Sequence, residues 1–276
     1  MSREGEKNVL ITGASGGVGQ ATASLLIRHG WRVFAADITL GDQALSPSED
    51  RLLPVQMDVT GRNSIQEAFQ QISSQTEQLD AIIHMAGILR VGPLVEIPED
   101  YLNRSLEVNM MGAFRVNRQF LPLLMPRPGR IVLLSSETGT QTAAPFNGPY
   151  AISKHALEAY ADALRRELSL LGIRVIKIQP GPIQTEMTRG GEGQFREAAA
   201  ASVHFRKALL KGTSYLPGVY RNACDPDVVA AVILKALESP SPRRAYRVKQ
   251  DRIRDLLDRI PQGWSDQLIK KALTRG

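Results

Sequence analysis

Tyr150 and Lys154 lie four residues apart in Gly-Pro-Tyr-Ala-Ile-Ser-Lys-His, a segment with helical periodicity. Positions i and i+4 share one helical face, which brings an ammonium near a phenol oxygen. A phenol at its ordinary pKa of about 10 is almost wholly protonated at neutral pH and makes a poor base. A neighbouring cation favours the phenolate and moves the group toward the working range, so the pair can handle a proton. Such pairs also arise by chance in many helices. Their weight depends on what accompanies them.

Thr12-Gly13-Ala14-Ser15-Gly16-Gly17-Val18-Gly19 follows an apolar run and opens a helical pattern. Glycines there let backbone N–H groups approach a pyrophosphate, and a helix N-terminus adds free donors and a positive dipole end. Alone, the turn is weak evidence: its spacing departs from GxGxxG, and glycine marks structural turns everywhere. Asp37 closes the next apolar run, 18 residues beyond Gly19. A carboxylate about there accepts hydrogen bonds from an adenosine ribose and repels a 2′-phosphate. Ile38 and Thr39, like Gly16, offer no cation. NAD is expected over NADP.

The elements that must position these residues alternate. Short apolar runs at 8–12, 32–36, 53–57, 81–85, 130–134, 174–178 and 245–249 read as strands. Helical patterns at 17–29, 64–73, 102–124, 150–171 and 226–238 separate most of them. Alternation of this kind implies right-handed βαβ crossovers and an α/β, doubly wound parallel sheet of about seven strands, covered by helices on both faces. Residues 1–276 are expected to form a single domain. The glycine-rich stretch 184–222 breaks the alternation and reads as a substrate lid carrying one short amphipathic helix near 195–205.

The ordered set Thr12-Gly-x-x-x-Gly-x-Gly19, Asn109, Ser135-Ser136 and Tyr150-x-x-x-Lys154 resembles the short-chain dehydrogenase/reductase family. Ala143-Ala-Pro-Phe-Asn-Gly-Pro-Tyr150, the apolar lid residues and Tyr246-Arg-Val with its helical tail resemble its hydroxysteroid and retinol dehydrogenase branch in particular. Asp58-Val59 and Pro180-Gly181-Pro182 extend the likeness over nearly the whole chain. The resemblance implies a Rossmann-type fold and an enzyme that interconverts a secondary alcohol and a ketone with NAD(H). Its implied catalytic set is Tyr150 as proton carrier, Lys154 lowering the Tyr150 pKa and holding the nicotinamide ribose, Ser136 on the substrate oxygen, and Asn109 anchoring a water that links Lys154 to solvent. Its implied cofactor contacts are Gly13, Ser15, Gly16, Gly17, Val18 and Gly19 in the turn, then Asp37, Asp58, Val59, Ala86 and Gly87. Tyr150, Lys154, Pro180, Gly181, Ile183 and Thr185 complete them. It also implies a homodimer or homotetramer and a bulky hydrophobic, steroid- or retinoid-like substrate. Reduction of an acyl-thioester or a sugar, and NAD(H) sensing without turnover, remain as alternatives.

Two departures from the family pattern matter. His84-Met85-Ala86-Gly87 stands where Asn-Asn-Ala-Gly is usual, so His84 is expected to brace the sheet rather than act as a base. Ser136 precedes Tyr150 by 14 residues, one more than the commonest spacing, which keeps Ser135, Glu137 and Thr138 open as the residue facing substrate. His29, His155 and His204 suggest no metal site, and Cys224 has no evident activating partner.

Composition excludes several other classes. The 276 residues are 43% hydrophobic and 22% charged, with a mean hydropathy of -0.17, which argues against disorder, fibres and coiled coils. A lone cysteine excludes an internal disulfide, no run approaches the ~18 apolar residues of a membrane span, and the charged start is not a secretory signal. A cytoplasmic setting is expected. Ten Lys/Arg stand against four Asp from Ser241 onward, which equals the whole net charge of +6. Arg252/Asp255, Asp255/Arg259 and Arg254/Asp258 sit at pairing distance, so the basic helical tail at 250–276 reads as a solvated face. No nucleic-acid partner is expected, and membrane contact only at the periphery.

Overall fold

Runs rich in Val, Ile, Leu and Ala form seven strands: β1 (Lys7–Thr12), β2 (Trp31–Asp37), β3 (Leu52–Gln56), β4 (Ala81–His84), β5 (Arg130–Leu134), β6 (Arg174–Pro180) and β7 (Ala245–Val248). They make one parallel sheet in the order β3-β2-β1-β4-β5-β6-β7. The computed structural model describes residues 6–39 and 50–274; the ends of the expected domain and tail, 1–5 and 275–276, lie outside these.

Both faces of the sheet are covered, which is why β1, β2, β4 and β5 read as continuous apolar runs. Along β1, Leu10 packs with Phe34, Phe120 and Ile131 on one face, while Val9 and Ile11 pack with Val33, Val132 and Ile233 on the other. Each such side chain contributes about 1.5–3 kcal/mol by burial. Strand order reverses between β1 and β4. At that point the crossovers diverge and open a crevice at the carboxyl ends of the strands.

The helices are α1 (Gly17–Arg28), α2 (Arg62–Ser73), α3 (Glu99–Leu106), α4 (Gly112–Leu124), α5 (Gly148–Leu168), α6 (Glu186–Ala201), α7 (Arg206–Thr213), α8 (Leu216–Arg221), α9 (Pro226–Glu238), α10 (Arg252–Arg259) and α11 (Gln262–Thr274). The expected helix at 102–124 starts earlier and is interrupted by a π-helical turn, Glu107–Met111, between α3 and α4. The stretch expected to hold one short helix holds three, α6 to α8. The tail is helical as expected, but α10 is docked on the segment after β5 and only partly solvated. There the Asp258 carboxylate accepts from the Thr142 amide and hydroxyl, both at 2.8 Å. Of the three expected intrahelical pairs, Arg259–Asp255 forms at 2.6 Å, so Asp255 goes to Arg259 and not Arg252, whereas Arg254 turns to the Thr138 hydroxyl at 3.1 Å.

Candidate active site

The glycine turn joins β1 to α1 at the mouth of the crevice. Gly13 has φ +71, and a Cβ there would lie 2.6 Å from the Ala86 amide nitrogen; at Gly19 it would lie 2.3 Å from the Gly13 carbonyl. Only glycine lets the turn close this tightly against the end of β4. The first turn of α1 has no side-chain cap, and a Cβ at Gly16 would meet nothing nearer than 3.4 Å. Open donors at a helix N-terminus beside free space are what a pyrophosphate needs. Asp37, at the end of β2, accepts from the Ser15 amide at 2.9 Å and the Ile38 amide at 2.8 Å. Its carboxylate therefore borders the turn, with lone pairs left over for a ribose hydroxyl.

Around this mouth stand the other expected cofactor contacts. Val59 and Ala86 line a water-sized cavity of ≈ 10 Å³ with Thr12, His84, Asn109 and Leu134. Asp58 is occupied by the Thr60 amide and hydroxyl at 2.8 and 2.7 Å. Thr185, capping α6, comes close to Gly17, and Ile183 bridges to Cys224. Val18 is buried in α1, while Gly181, following Pro180, donates to the Val248 carbonyl at 2.9 Å and ties β6 to β7. Gly87 approaches the Asn109 side chain.

At the end of β5, Ser136 is extended, and its hydroxyl accepts from the Thr138 amide at 3.2 Å. The same hydroxyl lies beside the Tyr150 phenol and eases its ionisation. Lys154 is buried one turn along α5 and donates to the Leu134 carbonyl at 2.8 Å; its nitrogen is 5.6 Å from the Tyr150 ring centre. Same-face placement is as the spacing requires, with the ammonium held by the Leu134 carbonyl rather than bonded to the phenol oxygen. Burial pushes Tyr150 up to about 12, with Ser136 and Arg254 pulling down and Glu137 pushing up. Burial also pulls Lys154 down to about 8, against the Glu158 carboxylate.

Asn109 sits in the π-helical turn. Its carboxamide oxygen accepts from the Ile88 amide at 2.7 Å, and its nitrogen donates to the Ile88 carbonyl at 3.0 Å and to Ser153 Oγ at 2.8 Å. The side chain is thus spent on fastening the loop after β4 to α5.

His84 is buried at the end of β4. Asn117 donates to Tyr160 Oη at 2.9 Å, so its carboxamide oxygen is the acceptor for His84 Nε2–H at 2.7 Å. Burial lowers His84 to about 4. The ring is a neutral brace between β4, α4 and α5. An unfolded histidine titrates near 6.5, so the unfolded chain binds the extra proton between about 6.5 and 4, and stability is lost as pH is lowered through that window. A His84→Gln variant is expected to flatten the dependence of Tm on pH between 7 and 4; an unchanged slope would show the acid sensitivity to lie elsewhere.

Sequence reasoning held Glu137 open only as a possible substrate contact and missed its partners. It is buried with Thr138 and meets α10, accepting from the Asp251 amide at 2.7 Å and facing Arg254 at 3.7 Å. No local spacing announces a contact across 114 residues.

Comparison with known proteins decides the family. The short chain dehydrogenase model matches residues 7–193. The chain belongs to the short-chain dehydrogenase/reductase family. It is 30% identical over 267 residues to a probable short-chain type dehydrogenase/reductase of Helicobacter pylori, covering 95% of this chain and 96% of that one. It is 32% identical over 255 residues to retinol dehydrogenase 5 of Homo sapiens, covering 86% and 79%. It is 29% identical over 271 residues to a 3-ketodihydrosphingosine reductase of Bacteroides thetaiotaomicron, covering 96% of each. A short-chain dehydrogenase from Streptomyces avermitilis shares the fold, with a TM-score of 0.76 at 24% identity over 98% of this chain and 95% of that chain. This short-chain dehydrogenase/reductase is accordingly an oxidoreductase.

Proposed function

We propose that this chain interconverts a bulky, apolar secondary alcohol and its ketone, with NAD(H) favoured over NADP(H). The observation that carries the reading is the meeting of the Tyr150 phenol and the Ser136 hydroxyl, next to Lys154, at the sheet's carboxyl edge where the open glycine turn begins.

Bound there, the nicotinamide ring supplies a hydride acceptor or donor. The glycine turn from Gly13 to Gly19 would hold the pyrophosphate, Asp37 the adenosine ribose, and Tyr150 with Lys154 the nicotinamide ribose. Asp58, Val59, Ala86, Gly87, Pro180, Gly181, Ile183 and Thr185 would line the rest. At about 12 the phenol is fully protonated at neutral pH and can give its proton to a carbonyl oxygen that gains charge. Ser136 Oγ–H donates to the same oxygen as the charge develops. In the reverse direction the phenol must lose its proton, and Lys154, at about 8 still largely cationic at neutral pH, is the nearby charge that favours this.

An apolar substrate is supported by the segment around the crevice. Phe146 adopts φ 64 ahead of α5, and its ring packs edge-on against Phe205 at 5.8 Å, while Met187 and Val203 are exposed on the α6–α7 side. Two relatives carry names for apolar substrates, retinol and 3-ketodihydrosphingosine. Of the lid cations, Arg196 is paired with Glu192 at 2.7 Å. On this reading residues 184–222 act as the lid of one catalytic domain. Exposed Phe114 on α4 and Ile152 on α5 suit pairing of subunits in a cytoplasmic oligomer.

The reading is tested by following NADH formation with steroid, retinoid, aliphatic and sugar alcohols, with NADP run in parallel. Turnover on apolar secondary alcohols is expected. Turnover confined to sugars or acyl-thioesters, or cofactor binding with no turnover, would overturn it. An Asp37→Ala variant is expected to weaken NAD about tenfold, as loss of a charge-assisted hydrogen bond does, and to narrow its advantage over NADP. An unchanged ratio of kcat/KM for the two cofactors would remove Asp37 from the selection.

A further inference from the structure

The proton-transfer site has a charged wall supplied by the far end of the chain. Glu137 follows Ser136 directly, is 3% exposed, and is a carboxylate whose charge acts on the Tyr150 phenol. Its Oε2 accepts from the Asp251 amide at 2.7 Å, one residue ahead of α10. Its Oε1 faces the Arg254 guanidinium at 3.7 Å, and that guanidinium donates to Thr138 Oγ1 at 3.1 Å. A buried carboxylate requires a partner. Here the partner comes from α10, so the same contact that neutralises Glu137 docks the helix.

We propose that Glu137 and Arg254 form a positioning pair that fastens α10 over the Ser136 segment and sets the balance of charge facing the Tyr150 hydroxyl. Neither residue touches the reacting atoms. Their opposite charges act on the phenol in opposite directions, Glu137 disfavouring its ionisation and Arg254 favouring it. The other groups facing this cluster are few. From α5, Lys154 is held by the Leu134 carbonyl, and Glu158 accepts from Gln179 and pairs with Lys177. From the α10 side, Asp251 and Asp255 add negative charge behind Arg254, and Asp255 is itself paired with Arg259. Arg254 is therefore the cation of α10 that faces Glu137, and its removal exposes the phenol to an uncompensated carboxylate.

The inference rests on Tyr150 as the proton carrier, and its test separates the two. The pH dependence of kcat for NAD-linked oxidation of 1-phenylethanol is measured in the wild type and in Tyr150→Phe, Glu137→Gln, Arg254→Gln and the double Glu137→Gln/Arg254→Gln variant. Glutamine at 137 still accepts from the Asp251 amide, and glutamine at 254 lies on a part-exposed helix, so the fold is retained. The rising limb, which reports loss of the Tyr150 proton, is expected to move down by about half a pH unit or more in Glu137→Gln and up by as much in Arg254→Gln, as removal of a nearby charge does. The double variant is expected to return toward the wild type. A merely structural role moves both single variants the same way. Hydrogen exchange across 250–260 needs no substrate and is expected to quicken in both single variants. Limbs that stay in place or shift together, with Tyr150→Phe inactive, overturn the pair; an active Tyr150→Phe overturns the proton carrier beneath it.

Discussion

Replacing Tyr150 by Phe is expected to lower kcat by about 10³-fold, the scale of a lost general acid–base group. Binding of NADH is expected to stay within about threefold of the wild type, because the glycine turn and Asp37 are remote from the phenol oxygen. The ring itself is kept, so the packing of α5 is preserved and Tm is expected to change little. Stopped-flow reduction and NADH fluorescence titration check the two halves. Near-normal turnover in Tyr150→Phe would remove the phenol from the chemistry.

Lys154→Met is expected to stabilise the protein while disabling it. Lys154 titrates near 10.5 when unfolded and at about 8 in the fold. Between those values the unfolded chain holds the additional proton, so wild-type stability climbs with pH across that window. Below about 8 both states carry the charge, and the fold bears the full cost of burying it. Methionine fills a similar volume without the charge. It forfeits the hydrogen bond to the Leu134 carbonyl, leaving a net gain of about 1–2 kcal/mol at pH 7, or about 2–4 °C in Tm. That advantage is expected to shrink as pH rises from 8 toward 10.5. Turnover is expected to fall about 10²-fold, with cofactor affinity reduced, since an anchoring donor is lost. A lower Tm at pH 7 would show that the ammonium stabilises the fold instead of burdening it.

Much of the scaffold was legible because burial on both faces writes strands as unbroken apolar runs. All seven strands fall within two residues of their expected limits, as Ala81–His84 and Arg174–Pro180 illustrate. What was not legible depends on contacts between distant segments. The interruption between α3 and α4 follows from the hold of Asn109 on Ile88 and Ser153, and nothing in the local pattern at 102–124 announces it. The spacing of Tyr150 and Lys154 correctly assigns them one helical face. It does not reveal that the Leu134 carbonyl, and not the phenol oxygen, receives the ammonium. The pattern of α10 is equally misleading, because Arg254 and Asp258 at i, i+4 satisfy an isolated helix as well as a docked one. Only the fold shows their partners to be Glu137, Thr138 and Thr142.

The central claim is that the crevice beside Tyr150 brings a carbinol carbon against a nicotinamide ring. Deuterium placed on the carbinol carbon of the alcohol turned over fastest tests this directly, read by mass spectrometry of the dinucleotide product. Label recovered in the reduced nicotinamide, together with a slower kcat for the deuterated alcohol, is the expected result. Label retained in the organic product or lost to water would contradict direct hydride transfer at this site.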